Sequence, residues 1–355
     1  MESDISKYLV GKDSIIRDVM AQADIGRRGI VLVVDEDRCL VSTVTDGDLR
    51  RAVLANIDLD SPVSVLLEKK PRVKPITAPH DSDPATMMNI LLENKILHLP
   101  LVDDGYRVVS IVRLDEFVDP PPLPLQAVIM AGGRGTRLQP LTDNLPKPML
   151  PVGDQPLMEI TVKQLKDAGI RQVDVAVHHM PEKITEHFGD GKAYGVDINY
   201  VTEDQPLGTA GALGLMDHPG DTMLVINGDI LTQVDYRAML QFHNENQAEL
   251  TVAILQYDLQ VPYGVIETEG SLVRGLSEKP TFPFFVNGGI YLLEPSAHAS
   301  IPKEKRSDMT DLIHRLVADG RKVAAFPVRE YWLDIGQTSD YQKAQEDFKL
   351  KRVTP

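Results

Sequence analysis

Cysteine is almost missing from this chain: Cys39 is the one residue of its kind among 355. A lone thiol excludes an internal disulfide framework and any site built from several cysteine ligands. It fits a reducing cytoplasm, which is the expected compartment. No apolar run is long enough to span a bilayer, and the start lacks the pattern of a secretory signal. A basic excess is missing too. The formal net charge is −15, which excludes a nucleic-acid coat. A polyanionic ligand must therefore be drawn in by a local basic site. His178-His179 ends an apolar run, but no third histidine or cysteine follows at ligand spacing, so zinc is not expected. What remains is an ordinary globular composition, 43% hydrophobic and 25% charged, in a length that can bury two separate cores.

The most informative stretch is present rather than absent. Ala127-Val128-Ile129-Met130 leads into Ala131-Gly132-Gly133-Arg134-Gly135-Thr136-Arg137-Leu138, and Leu145-Pro146-Lys147-Pro148-Met149-Leu150-Pro151-Val152 follows. A short buried strand thus empties into a glycine loop carrying two arginines, with a lysine held between prolines beyond it. Glycine admits φ > 0 and close approach of backbone to a ligand. Successive backbone N–H groups in such a turn form a concave anion site, to which Gly132, Gly133, Gly135 and Thr136 would contribute. Arg137 can fork onto phosphate oxygens, and Lys147 supplies a point charge. Gly-Lys-Ser/Thr is absent, and the glycine spacing is not G-x-G-x-x-G. The loop is a phosphate-holding device of another kind, or a tight turn with incidental charge.

Pro120-Pro121-Pro122-Leu123-Pro124 cannot continue a helix or a central strand. It is expected to link a domain at 1–119 to a second at 125–355, with 120–124 between them. The first 119 residues carry a weak repeat: Val34-Asp35-Glu36 returns 68 residues later as Val102-Asp103-Asp104, and Val41-Ser42 as Val109-Ser110. Each copy reads as helix, strand, acidic turn, strand, helix, and two such units should pack together. In the first copy the strands are expected at 30–34 and 40–44, with a helix opening near Asp46. Thr45 and Asp48 sit at that helix start, where they can cap the helix or meet a sugar diol.

After the linker, strands are expected at 127–130, 173–177, 198–202, 223–227, 250–256 and 286–293. Helices are expected between several of them, for example at 159–167 and 236–244. Alternation of this kind argues for a mostly parallel sheet covered on both faces, with ligands at the carboxyl ends of the strands. Asn227-Gly228-Asp229 ends one apolar run, and Trp332-Leu333-Asp334-Ile335-Gly336 offers a second aspartate far downstream. Mg²⁺ takes one or two carboxylates plus phosphate oxygens and water. Asp229 and Asp334 are therefore the candidate metal pair, although either alone could be a turn residue or a helix cap.

From Leu125 to Lys351 these motifs resemble the sugar-1-phosphate nucleotidyltransferases, which join an NTP to a sugar-1-phosphate and release pyrophosphate. The resemblance implies a Rossmann-like, mixed-sheet α/β domain. It gives Asp229 and Asp334 the metal role, and Arg137 and Lys147 the triphosphate. Glu278-Lys279-Pro280 resembles the family's Glu-Lys-Pro motif, in which the lysine pairs with the sugar phosphate and the glutamate binds sugar hydroxyls. Asn287, in Val286-Asn287-Gly288-Gly289-Ile290, is similar to a sugar-contacting position, and Gly264 would line the same pocket through its backbone. The segment from Glu203 to Gly211 is the family's base-reading segment. A carboxylate suits the paired N1–H and N2 amine of guanine, so Glu203 points to GTP, with Gly208 admitting backbone to the base. The segment also reads as a solvated acidic loop.

Residues 1–119 resemble a tandem CBS pair of βαββα type, a module that often binds adenine nucleotides. The resemblance places Thr45 and Asp48 on the ribose of an adenine-nucleotide effector. In the second copy Arg113 and Glu116 stand at those positions, which departs from the pattern. CBS pairs commonly associate, so a homo-oligomer is compatible with the sequence. The whole arrangement resembles the CBS-fused glucosamine-1-phosphate guanylyltransferases of legionaminic acid biosynthesis, and it is also similar to mannose-1-phosphate guanylyltransferases. The fused CBS pair ranks the first ahead. The alternative from another class is a nucleotide sensor that binds without turnover.

Overall fold

The computed structural model describes residues 5–26, 29–70, 74–118, 122–217, 219–350 and 352. The chain divides into two units, 1–121 and 122–355. Pro120 and Pro121 of the expected linker lie outside the described residues. Leu123, within the same proline run, is buried in the core of the second unit.

The first unit contains β1 (Leu9–Gly11), α1 (Ile16–Gly26), β2 (Ile30–Val34), β3 (Leu40–Thr45), α2 (Asp46–Leu54), α3 (Val63–Leu67), β4 (Ala78–Pro79), α4 (Pro84–Glu93), β5 (His98–Val102) and β6 (Val108–Arg113). The sequence repeat is a structural one. α4, β5 and β6 each begin 68 residues after α1, β2 and β3, and the sheets β1-β2-β3 and β4-β5-β6 share one order. β2 is buried on both faces, which explains its unbroken apolar run. Val31 and Val33 pack with Ile16, Val19 and Leu49. Ile30, Leu32 and Val34 pack instead with Val102, Val108 and Ile111 of the second copy. The copies therefore bury each other's apolar faces. They differ at the end: among the described residues a short 3₁₀ turn, Leu114–Glu116, follows β6 where α2 follows β3.

The second unit contains β7 (Gln126–Met130), β8 (Pro151–Val152), β9 (Gln155–Pro156), α5 (Leu157–Asp167), β10 (Gln172–Val177), α6 (Pro181–Phe188), β11 (Asp197–Thr202), α7 (Gly208–Gly211), β12 (Met223–Asn227), β13 (Ile230–Thr232), α8 (Tyr236–Asn246), β14 (Leu250–Gln260), β15 (Val265–Glu269), β16 (Leu272–Ser277), β17 (Thr281–Leu293), α9 (Pro295–His298), α10 (Met309–Ala318), β18 (Val323–Pro327), β19 (Trp332–Asp334) and α11 (Thr338–Lys349). A seven-stranded sheet runs β11-β10-β7-β12-β17-β14-β18. β17 is antiparallel to both of its neighbours, and every other pairing in the sheet is parallel. Side chains alternate along β7 and β12. Ala127, Ile129, Leu224 and Ile226 face a core closed by α5 and α8. Val128, Met223 and Val225 face the core closed by α10. From β7 the chain moves outward to β10 and β11, then returns to β7's other side with β12. The switch point therefore lies at β7, and its carboxyl end opens directly into the glycine loop, the place where such sheets bind ligands.

Two expected strands are longer than their apolar patterns. β14 runs on to Gln260, and β17 begins at Thr281. Together with the β15–β16 hairpin they form an exposed arm. On one face of its ladder, Tyr257 opposes Phe284 and Leu259 opposes Phe282, and all of these side chains are exposed.

Candidate active site

The glycine loop continues the sheet for one residue, since the Ala131 N–H donates to Ala176 O at 2.8 Å. It then turns across the strand ends. Gly135 has φ +62°, and a Cβ there would lie 2.9 Å from Thr142 Cγ2 and 3.1 Å from Lys147 Cβ. The Thr142 hydroxyl donates to Gly135 O at 2.9 Å. Glycine at this position thus lets the loop fold down onto the Lys147 segment. Gly132 is packed as tightly: a Cβ there would meet Glu203 Oε1 at 2.7 Å. Gly133 differs, with nothing within 4 Å of the Cβ it lacks. Arg134, Thr136 and Arg137 are exposed.

Lys147 opens a 3₁₀ turn that begins after Pro146. It is buried, at 8% exposure, and its Nζ lies 2.5 Å from Asp229 Oδ2. The turn carrying Asp229 is pressed against the end of β7. The Gly228 N–H donates to Met130 O at 2.9 Å, and a Cβ on Gly228 would come within 2.6 Å of that oxygen. Asp334 arrives through an antiparallel ladder in which Ile230 pairs with Asp334, extended by Ile335 N–H to Asp229 O at 3.0 Å. Burial raises the Asp334 carboxyl above its ordinary range, and the Asp229 charge pushes it further. Lys147 and Arg137 pull in the other direction. Arg137, Lys147, Asp229 and Asp334 therefore share one electrostatic neighbourhood. Among the described residues, no group of three or more His, Cys, Asp or Glu could hold a metal.

The C-terminal helix braces this cluster, a role the sequence did not suggest. Tyr341 Oη and Gln345 Nε2 donate to Pro151 O at 2.7 and 2.6 Å. Leu333 and Ile335, which flank Asp334, pack with Leu150 and Val152. Arg352 pairs with buried Asp347 at 3.0 Å.

Glu203 is buried, not a solvated acidic residue. Its Oε2 accepts the Leu207 N–H at 2.9 Å, and its carbonyl accepts from His178 Nδ1 at 2.8 Å. That bond requires the proton on Nδ1, so His178 positions the Glu203 backbone. Gly208 has φ +83°, and a Cβ on it would lie 2.5 Å from Asp308 Oδ1 and 2.7 Å from Ser307 O. The segment from Leu207 to Gly211 is zipped onto 305–309. Ala210 and Gly211 N–H donate to Ser307 O, and Ser307 N–H to Leu207 O. Thr209 N–H donates to Asp308 Oδ1, and Met309 N–H to Thr209 Oγ1. Ser307 and Asp308 carry no local signal, and sequence reasoning missed them.

The expected sugar residues lie on the arm and at its root. A Cβ on Gly264 would lie 3.1 Å from Glu278 Oε2, so these two positions are adjacent. Lys279 has φ +47°. Glu278 and Lys279 are exposed, and neither bonds to the Arg137–Lys147–Asp229–Asp334 cluster among the described residues. Asn287 is turned onto its own strand: its Oδ1 accepts the Gly289 N–H at 2.9 Å. Trp332 Nε1 donates to Gly288 O at 2.8 Å, tying the strand of Asn287 to the strand of Asp334.

In the first unit, Thr45 and Asp48 form a capping box on α2. Thr45 N–H and its hydroxyl both donate to Asp48 Oδ2 at 2.9 Å. Lys70 Nζ lies 2.8 Å from the same oxygen, and an Arg51 guanidinium nitrogen lies 2.6 Å from Oδ1. Burial alone would raise the Asp48 carboxyl, but the Lys70 and Thr45 contacts leave it lowered. The folded value thus lies below the unfolded one. Its stabilisation is complete above the unfolded carboxylate range, near pH 3.9, and is lost as pH falls through the folded value. Asp48→Ala is expected to cost about 2 kcal/mol or more, because it removes the cap and strands the half-buried Lys70. Urea unfolding of the full chain, compared at neutral and acid pH, checks both the size and the sign.

A family model described as nucleotidyl transferase matches residues 126–350. The chain belongs to the nucleotidyl transferase family. A second model, described as CBS domain, matches residues 68–119, the second copy of the structural repeat. A mannose-1-phosphate guanylyltransferase of Mycobacterium tuberculosis is 34% identical over 240 residues, 65% of this chain and 66% of its own length. A UTP–glucose-1-phosphate uridylyltransferase of Synechocystis is 33% identical, covering 62% of each chain. This member of the family thus spans just under two thirds of the length of these curated relatives. A putative glucose-1-phosphate thymidylyltransferase from Bacillus anthracis, solved with sucrose, superposes with TM-score 0.52 at 26% identity, over 65% of this chain and 96% of its own. HddC from Yersinia pseudotuberculosis, complexed with GMP-PN, superposes with TM-score 0.50 at 25% identity, over 63% of this chain and 99% of its own.

Proposed function

We propose that this protein is a sugar-1-phosphate nucleotidyltransferase, with GTP as its nucleotide and mannose-1-phosphate as the first sugar to test. The observation that carries the reaction is the meeting of Lys147 and Asp229 at 2.5 Å, with Asp334 and Arg137 in the same field. Two cations and two carboxylates at the switch point suit a triphosphate with its counter-ion. The names of several similar relatives favour mannose over the glucosamine reading that the CBS fusion suggested. Buried Glu203, with Oε1 against the glycine loop, supports guanine as the base.

The donor set fits magnesium. Two carboxylates, one from the turn after β12 and one from β19, with no group of three or more metal-holding ligands among the described residues, leave room for phosphate oxygens and water. Asp229 and Asp334 would hold the ion. Bound there, it would neutralise phosphate charge and stabilise the leaving pyrophosphate.

The remaining chemistry is alignment and charge neutralisation by the chain itself. An oxygen of the sugar phosphate attacks the α-phosphorus in line. A new P–O bond forms, the bond to the β-phosphate bridge breaks, and pyrophosphate takes the electron pair. The nucleophile is already anionic, so no general base is needed. Arg137 holds the β- and γ-phosphates, and Lys147 takes charge at the α-phosphate. Gly132, Gly133, Gly135 and Thr136 cradle the chain of phosphates. Lys279 steers the sugar phosphate from the arm, while Gly264, Glu278 and Asn287 border the sugar. In the first unit an adenine nucleotide is the proposed effector. To reach Asp48 it must displace Lys70 or Arg51, so its binding would reorganise the start of α2.

The test crosses all four NTPs with glucose, mannose, glucosamine and N-acetylglucosamine 1-phosphates, with pyrophosphate release as the readout. GTP with mannose-1-phosphate is expected to give the highest kcat/KM. Release with glucosamine-1-phosphate alone would restore the other sugar. No release from any pair, with GTP still bound, would make the protein a sensor.

A further inference from the structure

We infer that Lys147 stands in for the divalent cation in the free protein, so that the metal site is closed to the bare ion and opens to the metal–nucleotide complex. The inference rests on the proposed metal role of Asp229 and Asp334.

The ammonium occupies one oxygen of a proposed metal ligand, at 2.5 Å, with side-chain exposures of 10% for Lys147 and 29% for Asp229. It is a compact point charge, and the backbone that carries it is held in place while its long side chain can turn. The residue lies in a 3₁₀ turn entered through Pro146, and the loop at Gly135 lies so close that a Cβ there would come within 3.1 Å of Lys147 Cβ. Arg137 and Lys147 both favour the charged form of Asp334. Two cations thus offset most of the negative charge of Asp229, Asp334 and the nearby Asp340.

A hydrated magnesium ion gives up its water reluctantly. The resident ammonium both covers Asp229 Oδ2 and repels the ion. A triphosphate changes the balance. Its oxygens compete for Lys147 and Arg137, and a lysine drawn to phosphate leaves Asp229 Oδ2 open. The ion then meets two unmatched carboxylates together with phosphate oxygens. Metal and nucleotide would therefore enter together.

The test titrates Mn²⁺ alone into the full chain without nucleotide, and free Mn²⁺ is followed by electron paramagnetic resonance. Lys147→Gln is expected to bind Mn²⁺ about tenfold tighter than the parent, the size of a partly screened charge contact. Lys147→Arg keeps the charge and should bind as weakly as the parent. Asp229→Asn added to Lys147→Gln should remove the gain. A Lys147→Gln protein no tighter than the parent would overturn the inference, as would a gain that persists in the double variant. Lys147→Met, which also removes the charge, repeats the comparison if glutamine impairs folding. Failure of the underlying reading looks different, because the parent protein would then release pyrophosphate from no NTP and sugar pair.

Discussion

Asp334→Asn is expected to abolish turnover, by about 10³-fold in kcat, while leaving the protein as stable as before or slightly more so. The two effects have one origin. Asp334 is held where burial and the Asp229 charge both oppose its ionisation. Its folded pKa is therefore above the unfolded one, and the ionised form carries a stability cost. The cost is absent below the unfolded carboxylate range and complete above the folded value. The amide keeps the shape and removes the charge, so its advantage should appear at neutral pH and vanish in acid. Only the ionised carboxyl suits a cation, so kcat/KM of the parent should fall on the acid side as Asp334 takes up a proton. Urea unfolding at neutral and acid pH, beside a pH–rate profile, separates these effects. A variant that keeps full activity would remove Asp334 from the metal role. One that loses stability at neutral pH would make it a structural residue.

Much of the second unit is legible because burial imposes a period. Met223–Asn227 appears at its expected limits, and β7, β10 and β11 each begin one residue before their apolar runs. The arm is not legible. Tyr257, Phe282 and Phe284 are exposed, so no buried face gives their strands a pattern. The repeat of the first unit was visible because acidic turns recur at one interval, and the capping box at Thr45 and Asp48 follows from local chemistry. The candidate site was only partly visible. The glycine loop announces itself within eight residues, and the family resemblance linked Asp229 to Asp334. The pairing of Ile230 with Asp334, which realises that link, depends on tertiary folding. No short pattern could show that Asn287 would be engaged by the Gly289 N–H, or that Lys147 would rest on Asp229. The Thr209–Asp308 contact joins residues 99 apart, beyond any local signal.

Two glycines that look alike in sequence should fail in opposite ways. Gly208→Ala places a Cβ 2.5 Å from Asp308 Oδ1 and 2.7 Å from Ser307 O, at φ +83°. Neither oxygen can yield freely. Asp308 Oδ1 accepts the Thr209 N–H, and Ser307 O accepts from Ala210 and Gly211. The variant is expected to lose about 2–4 kcal/mol through strain and broken zipper bonds. The displaced segment should also raise KM for the nucleotide. Gly133→Ala meets nothing within 4 Å, so its stability should stay within about 0.5 kcal/mol of the parent. If phosphates approach the backbone there, the added methyl group intrudes on them, and KM for the NTP should rise about tenfold or more with little change in Tm. Thermal unfolding and initial-rate kinetics on both variants decide the matter. A stable Gly208→Ala protein would show that the 305–309 segment does not hold the loop. A Gly133→Ala protein with unaltered KM would place the phosphates elsewhere.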